Sequence, residues 1–198
     1  LKYLANRGPD GIGDTYGENY YALHTRLAIT GNRSQPIYKD NKIILYNGEI
    51  YNDWKRYSHN YSDADYLTKF IQKNNSSNFH KLDDEYAIII YDKKKNSLKL
   101  ISDPFATKPM YWAISNNSLI VSSYDQTLKD LKISENKISQ IKPNSCITFN
   151  LSKNFSKSTY FPVKKFNFKP KKKTNFKDFL RFFNLEIKKN TANISKKV

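Results

Sequence analysis

Apolar positions recur along this chain in two rhythms. Over the first three quarters they come in short runs with a period near two, the mark of half-buried strands. Residues 20–29 alternate in this way, and 42–46, 86–91, 98–102, 110–114, 119–122 and 146–149 are β-branched or aromatic runs bounded by Asn, Ser, Asp and Lys clusters. Residues 93–97 and 115–118 are short enough to be hairpin links, which favours an antiparallel sheet over a parallel one. The rhythm changes at residues 62–73, where Ser62 can cap, Asp63 and Asp65 occupy a first turn, and Tyr66, Leu67, Phe70 and Ile71 share a face. That pattern predicts a helix. A second is predicted behind Asn175, with Phe176, Phe179, Leu180, Phe183 and Ile187 at helical spacing as far as about Lys189. The opening LKYLANRG reads as the last turns of a helix stopped by Gly8. Strand runs flanked by a few helices predict an α+β layered sandwich.

Composition narrows the class. The 198 residues include one cysteine, which excludes a disulfide-built secreted scaffold and points to a reduced, cytoplasmic setting. No apolar run approaches the roughly 18 residues a membrane span needs, so no membrane is expected as a partner. The formal charge of +16 would suggest a phosphate-rich partner until it is located. Residues 1–150 hold 20 basic and 16 acidic side chains, whereas residues 151–198 hold 14 and 2, so the excess belongs to the tail. The expected organisation is therefore an enzyme-like domain over 1–160, then 161–198 as a basic linker, FPVKKFNFKPKKK, and the first helix of another domain. The tail lysines read as a solvated connector, and nucleic acid is not expected as a partner. A start at Leu1 rather than Met and a stop at Val198 soon after a helix predict a fragment of a longer protein.

Several short motifs carry chemistry: Arg7-Gly8-Pro9-Asp10-Gly11, then His24-Thr25-Arg26-Leu27-Ala28-Ile29, Gln35-Pro36, Asn47-Gly48-Glu49-Ile50-Tyr51-Asn52, Ser62-Asp63-Ala64-Asp65, and Phe105-Ala106-Thr107-Lys108-Pro109-Met110-Tyr111-Trp112. Taken one at a time, each has a plain structural explanation. Arg26 could be an ion-pairing surface arginine, Asn47-Gly48 a hairpin turn, Asp63 a helix-start acid and His24 a satisfied structural histidine. Their order and spacing say more. The series resembles the glutaminase domain of glutamine-hydrolysing asparagine synthetases, among the class II (N-terminal nucleophile) glutamine amidotransferases, from residue 1 to about Tyr160. RGPDG is similar to the synthetase branch rather than to the aminosugar-forming or purine-forming branches.

The resemblance implies a four-layer αββα sandwich of two antiparallel sheets, the N-terminal nucleophile hydrolase type. It also implies glutamine as substrate, and the residue chemistry suits a zwitterion with a neutral amide. Arg26 can clamp a carboxylate bidentately. By resemblance the backbone from Arg26 through Ile29 and Thr30 lines the pocket, Asp63 pairs with the α-ammonium, and Glu49 closes the amino-acid end. Asn47 by side chain and Gly48 by backbone N–H match the oxyanion hole, where a donor is worth about 3–4 kcal/mol in comparable hydrolases. No metal is expected in this part of the chain. ATP and Mg, with aspartate as the acid amidated through an aspartyl-adenylate, belong by resemblance to a synthetase domain absent from the sequence; a homodimer is compatible with the family.

The family's nucleophile is a cysteine directly after the initiator Met, with its own α-amino group as general base. Cys146, in KPNSCITFN, cannot stand in for it and reads as a buried structural thiol. The expectation is that this cysteine lies ahead of Leu1 and that the fragment alone is inactive; the competing reading is a parent that is a catalytically dead interaction domain. Two departures from the pattern stand out: Asp84 and Ala106 occupy positions where the family usually has glycine. If either needs φ > 0, the substitution costs about 1 kcal/mol or more. They also leave open a relative that amidates another acceptor acid.

Overall fold

The computed structural model describes residues 3–29, 31, 33–52, 61–74, 76–160, 164–165 and 175–191. Strands β1 (Gly11–Gly17) and β2 (Tyr20–Arg26) form a two-stranded ribbon. After it come β3 (Ile37–Lys39), β4 (Lys42–Ile50), helix α1 (Asp63–Lys73), β5 (Asp84–Asp92) and β6 (Ser97–Ser102). Next are β7 (Tyr111–Ser115), β8 (Ser118–Ser122), α2 (Asp125–Asp130), the short β9 (Ser139–Gln140), β10 (Cys146–Asn150), β11 (Ser156–Tyr160) and α3 (Phe176–Thr191). Six strands join in the order β11-β10-β6-β5-β4-β3 and three in the order β8-β7-β9, every ladder antiparallel.

Three apolar clusters stack these elements into layers. On one face of the six-stranded sheet, Ala64, Leu67, Phe70 and Ile71 of α1 pack with Ile44, Tyr46, Ile88, Ile90 and Ile101. On its other face, Ala87, Leu100, Ile147 and Phe149 meet Trp112 of the smaller sheet and Met110 just before it. Behind that sheet, Ala113 packs on Leu128 of α2 and on Ile133. The sequence of layers is helix, sheet, sheet, helix, the expected αββα sandwich.

Local chemistry accounts for the elements. Ser62 and Asp65 close a capping box, with Asp65 N–H donating to Ser62 Oγ at 3.2 Å and Ser62 N–H to Asp65 Oδ2 at 3.1 Å. Between β7 and β8, Asn116 and Asn117 take φ values of 47° and 55°, the left-handed pair a two-residue hairpin needs and asparagine tolerates. Asn175 caps α3, accepting from Asp178 N–H at 2.8 Å.

Other expectations are corrected. Residues 3–7 make a turn, closed by Gly8 N–H on the Leu4 carbonyl at 3.1 Å, and the first two residues of the opening segment lie outside the described residues. Gly8 is required for close approach, since a Cβ there would strike the Thr25 backbone. The strand from Tyr20 ends at Arg26 because Ile29 N–H folds back onto the Leu27 carbonyl at 3.1 Å. Most of the 161–173 connector lies outside the described residues; within it, Asn144 clasps the Lys164 backbone through both its amide oxygen, at 2.6 Å, and its amide nitrogen, at 2.7 Å. The apolar side chains of α3 are exposed, and the helix meets the sandwich through an ion pair between Lys189 and Asp83.

Candidate functional site

The site grows outward from Tyr46, in the middle of β4. Its ring is buried on the α1 side, and its hydroxyl donates to Asp63 Oδ2 at 3.0 Å. Its backbone N–H donates to Gln35 Oε1 at 2.6 Å, and its carbonyl accepts from Gln35 Nε2 at 2.8 Å. His24 Nε2 reaches the same carbonyl at 3.1 Å. A carbonyl only accepts, so Nε2 carries the imidazole proton. Nδ1 is then the bare nitrogen, buried with no partner among the described residues. Burial holds the His24 pKa below its ordinary value; the Tyr46 carbonyl opposes this and the Arg26 charge adds to it. The ring is therefore neutral near pH 7.

Strand geometry then aims the next groups. A residue's N–H and C=O leave the strand on one edge, and successive residues alternate. Tyr46 presents both to Gln35, on the edge facing away from β5, so Gly48 presents its N–H on that same edge. It lies beyond the last β3 pair, Ile37 with Ile44. A Cβ at Gly48 would fall against the Glu85 carbonyl oxygen, which excludes larger residues. Asn47 and Glu49 turn the other way, opposite Ala87 and Glu85 on β5. The Asn47 amide has no hydrogen-bond partner among the described residues.

Arg26 ends β2, half-buried, and its guanidinium has no hydrogen-bond or ion-pair partner among the described residues. The RGPDG turn fixes its backbone: Pro9 bridges to it, and Asp10 N–H donates to its carbonyl at 2.9 Å. Asp10 Oδ2 in turn accepts from Ala28 N–H at 2.7 Å. Gly31, at φ 54°, lets this loop close on the start of α1, where a Cβ would sit 2.6 Å from Ser62 Cβ. Asp63 follows at once, 6% exposed, with Oδ1 accepting from Ala64 N–H at 2.8 Å.

Acidic groups dominate the far end. Burial and then the facing Glu85 carboxylate push the Glu49 carboxyl above its ordinary value, with Asp63 adding; Lys108 and the Tyr51 hydroxyl pull it back. Tyr51 OH donates to Glu85 Oε1 at 3.0 Å, and Lys108 Nζ lies 3.3 Å from the same oxygen. Lys108 comes from the loop after β6, which the fully buried Asp103 organises by accepting from the backbone N–H groups of Tyr86, Phe105 and Thr107 at 3.1, 2.7 and 2.9 Å.

Asn47, Gly48 and Glu49 follow Tyr46 on β4 and Asp63 accepts from its hydroxyl, while Arg26 stands two residues beyond His24 at the end of β2. Ile29 is on the adjoining loop, 44% exposed, and Thr30 lies outside the described residues. Cys146 is in the core on β10, its thiol pKa raised by burial, as a structural cysteine should be. The structure adds Asp10, Gln35, Tyr46, Glu85 and Lys108, which sequence reasoning had not placed in the site. For three of these a trace was present: Asp10 sits within RGPDG, Gln35 within the QP pair and Lys108 within FATKPMYW. Among the described residues, no cluster of three or more His, Cys, Asp or Glu side chains is arranged to hold a metal.

A family model described as a glutamine amidotransferase domain matches residues 1–178. The chain is 33% identical over 140 residues to an asparagine synthetase (glutamine-hydrolyzing) of Sandersonia aurantiaca, covering 64% of this chain and 26% of the relative. It is 28% identical over 203 residues to asparagine synthetase (glutamine-hydrolyzing) 1 of Bacillus subtilis, covering 84% and 32%. A solved structure of glutamine phosphoribosylpyrophosphate amidotransferase from B. subtilis, complexed with ADP and GMP, superposes with a TM-score of 0.57 at 15% identity, over 72% of this chain and 34% of that one. At that identity the likeness bears on the fold alone. The chain spans less than a third of the length of the curated relatives it first matches.

Proposed function

The chain belongs to the glutamine amidotransferase domain family, and from that premise we propose that the site around Tyr46 binds L-glutamine for hydrolysis to glutamate and ammonia. The observation that carries the reading is its charge complement: a half-buried Arg26 with no partner among the described residues, together with the Asp63, Glu49 and Glu85 carboxylates. A free α-amino acid has the complementary charges. In this reading Arg26 takes the α-carboxylate through two parallel N–H donors. Asp63 and Glu49 take the α-ammonium, and the side-chain amide reaches Asn47 and Gly48. When a nucleophile adds to the amide carbon, negative charge moves onto the oxygen, where Asn47 Nδ2–H and Gly48 N–H receive it. Ile29 lines the carboxylate end through its backbone in this reading.

The attacking group is proposed to be a cysteine ahead of Leu1, without which residues 1–198 bind but do not turn over glutamine. The parent is proposed to be an asparagine synthetase, in which a separate domain uses ATP and Mg to activate aspartate for the released ammonia. The similarity to the Sandersonia and Bacillus proteins supports that assignment.

The test is titration calorimetry of L-glutamine into the chain and into Arg26→Ala. Loss of a charge-assisted bidentate contact, worth about 1.5–3 kcal/mol, should weaken binding by about 10- to 100-fold. An Arg26→Ala protein that binds as the wild type does would refute the pocket.

A further inference from the structure

Glu49 and Glu85 are directly opposed on β4 and β5, on the same face of the sheet. Cβ atoms of opposed residues lie about 4.5–5.5 Å apart, and like charges there repel. Lys108 Nζ, at 3.3 Å, and the Tyr51 hydroxyl, at 3.0 Å, both meet Glu85 Oε1, and the Tyr51 hydroxyl serves Glu49 as well. Lys108 and Glu85 are each about three-quarters buried, so their pairing is screened less than a surface pair. The loop bearing Lys108 is held by Asp103, whose carboxylate accepts from Thr107 N–H, immediately before Lys108.

We infer that Lys108 and Glu85 are positioning residues that divide the charge at this end of the site, with Lys108 occupying Glu85 so that Glu49 keeps its carboxylate for the substrate's α-ammonium. The inference rests on the glutamine reading above and adds a specificity determinant to it. Without Lys108, the Glu49 and Glu85 carboxyls and Asp63 would face one another with one cation fewer. A proton on Glu49 is then the cheapest relief, and a protonated Glu49 no longer attracts an ammonium. Without Glu85, Lys108 is left within reach of Glu49 and competes with the ammonium for it. Removing both should restore the balance, because Glu49 then faces neither a second carboxylate nor a resident cation.

The test is a double-mutant cycle read with two ligands, L-glutamine and glutaric acid monoamide, which lacks the α-ammonium. Lys108→Met and Glu85→Gln should each weaken glutamine binding by about tenfold, equivalent to about 1.4 kcal/mol of lost attraction between Glu49 and the ammonium. The double variant should recover to within about threefold of wild type, and the monoamide should bind all four proteins alike. Equal loss of both ligands, or additive losses in the double variant, would overturn the inference by marking the pair as structural. A wild-type protein that binds the monoamide as tightly as glutamine overturns it as well. Failure of the wild type to bind either ligand would remove the site reading itself, and the inference with it.

Discussion

Asp84 and Ala106, the two positions where the resemblance leads one to expect glycine, make opposite predictions under one substitution. Ala106 adopts φ 53°, so here the backbone does enter the left-handed region. It cannot relax out of it easily, because Asp103 holds both sides: its carboxylate accepts from Phe105 and Thr107 N–H, and its carbonyl accepts from Ala106 N–H at 3.2 Å. A residue with a Cβ in that region costs about 1–2 kcal/mol. Against this, glycine loses about 0.5–1 kcal/mol more backbone entropy on folding. Removing a half-buried methyl forfeits up to about 0.8 kcal/mol more. Ala106→Gly should therefore stabilise by about 0.5 kcal/mol. Asp84 is extended at the start of β5, so Asp84→Gly gains no relief and should destabilise by about 0.5–1 kcal/mol. Urea unfolding followed by circular dichroism resolves the pair, because the two midpoints should move in opposite directions from wild type at unchanged slope. A lower midpoint for Ala106→Gly, or a higher one for Asp84→Gly, would refute the assignment of strain to Ala106 alone.

Two further outcomes follow from the site. Gly48→Ala places a methyl against the Glu85 carbonyl, so it should destabilise by about 1–3 kcal/mol in the same urea assay and also weaken glutamine binding; a silent substitution would contradict the strand geometry. His24, depressed by burial, should titrate by NMR with a midpoint below the ordinary value of about 6.5. Its contribution to stability should be complete above that ordinary value and should fall away as the pH drops through the lower, folded-state value. A His24 midpoint above 6.5 would contradict its burial as a neutral ring.

How much was legible in the sequence depended on how local the cause was. The strands around Tyr86, Leu98, Tyr111, Leu119 and Cys146 and the helix capped by Ser62 were visible because their patterning and turn chemistry lie within a few residues. β1, β3 and β11 were not. β1 reads Gly-Ile-Gly-Asp-Thr-Tyr-Gly, poor in β formers, and exists through its pairing with β2. β11 reads Ser-Lys-Ser-Thr-Tyr and is carried by β10 in the same way. In the site, Arg26, Asn47, Gly48, Glu49 and Asp63 were reached through motif order. Gln35 and Glu85 act through partners 11 residues away and across a strand pair, which no local pattern encodes. Lys108 is similar: its spacing from Glu85 carries no period that would mark them as a pair.

Gln35 also bears on how this sheet ends. An unfinished strand edge is ordinarily a template on which another chain can add, and proteins guard against it with charges, prolines or covering segments. Past Ile44, β4 has outrun β3, and at Tyr46 the Gln35 amide supplies one donor and one acceptor, as a neighbouring residue's peptide group would. A side chain thus serves as a one-residue surrogate strand, with Pro36, which has no N–H to offer, directly behind it. The edge is closed at Tyr46, where it could recruit a foreign strand, and Gly48, whose N–H the glutamine reading assigns to the substrate amide, lies two residues beyond. Resistance to self-association at this edge thus comes from a single amide.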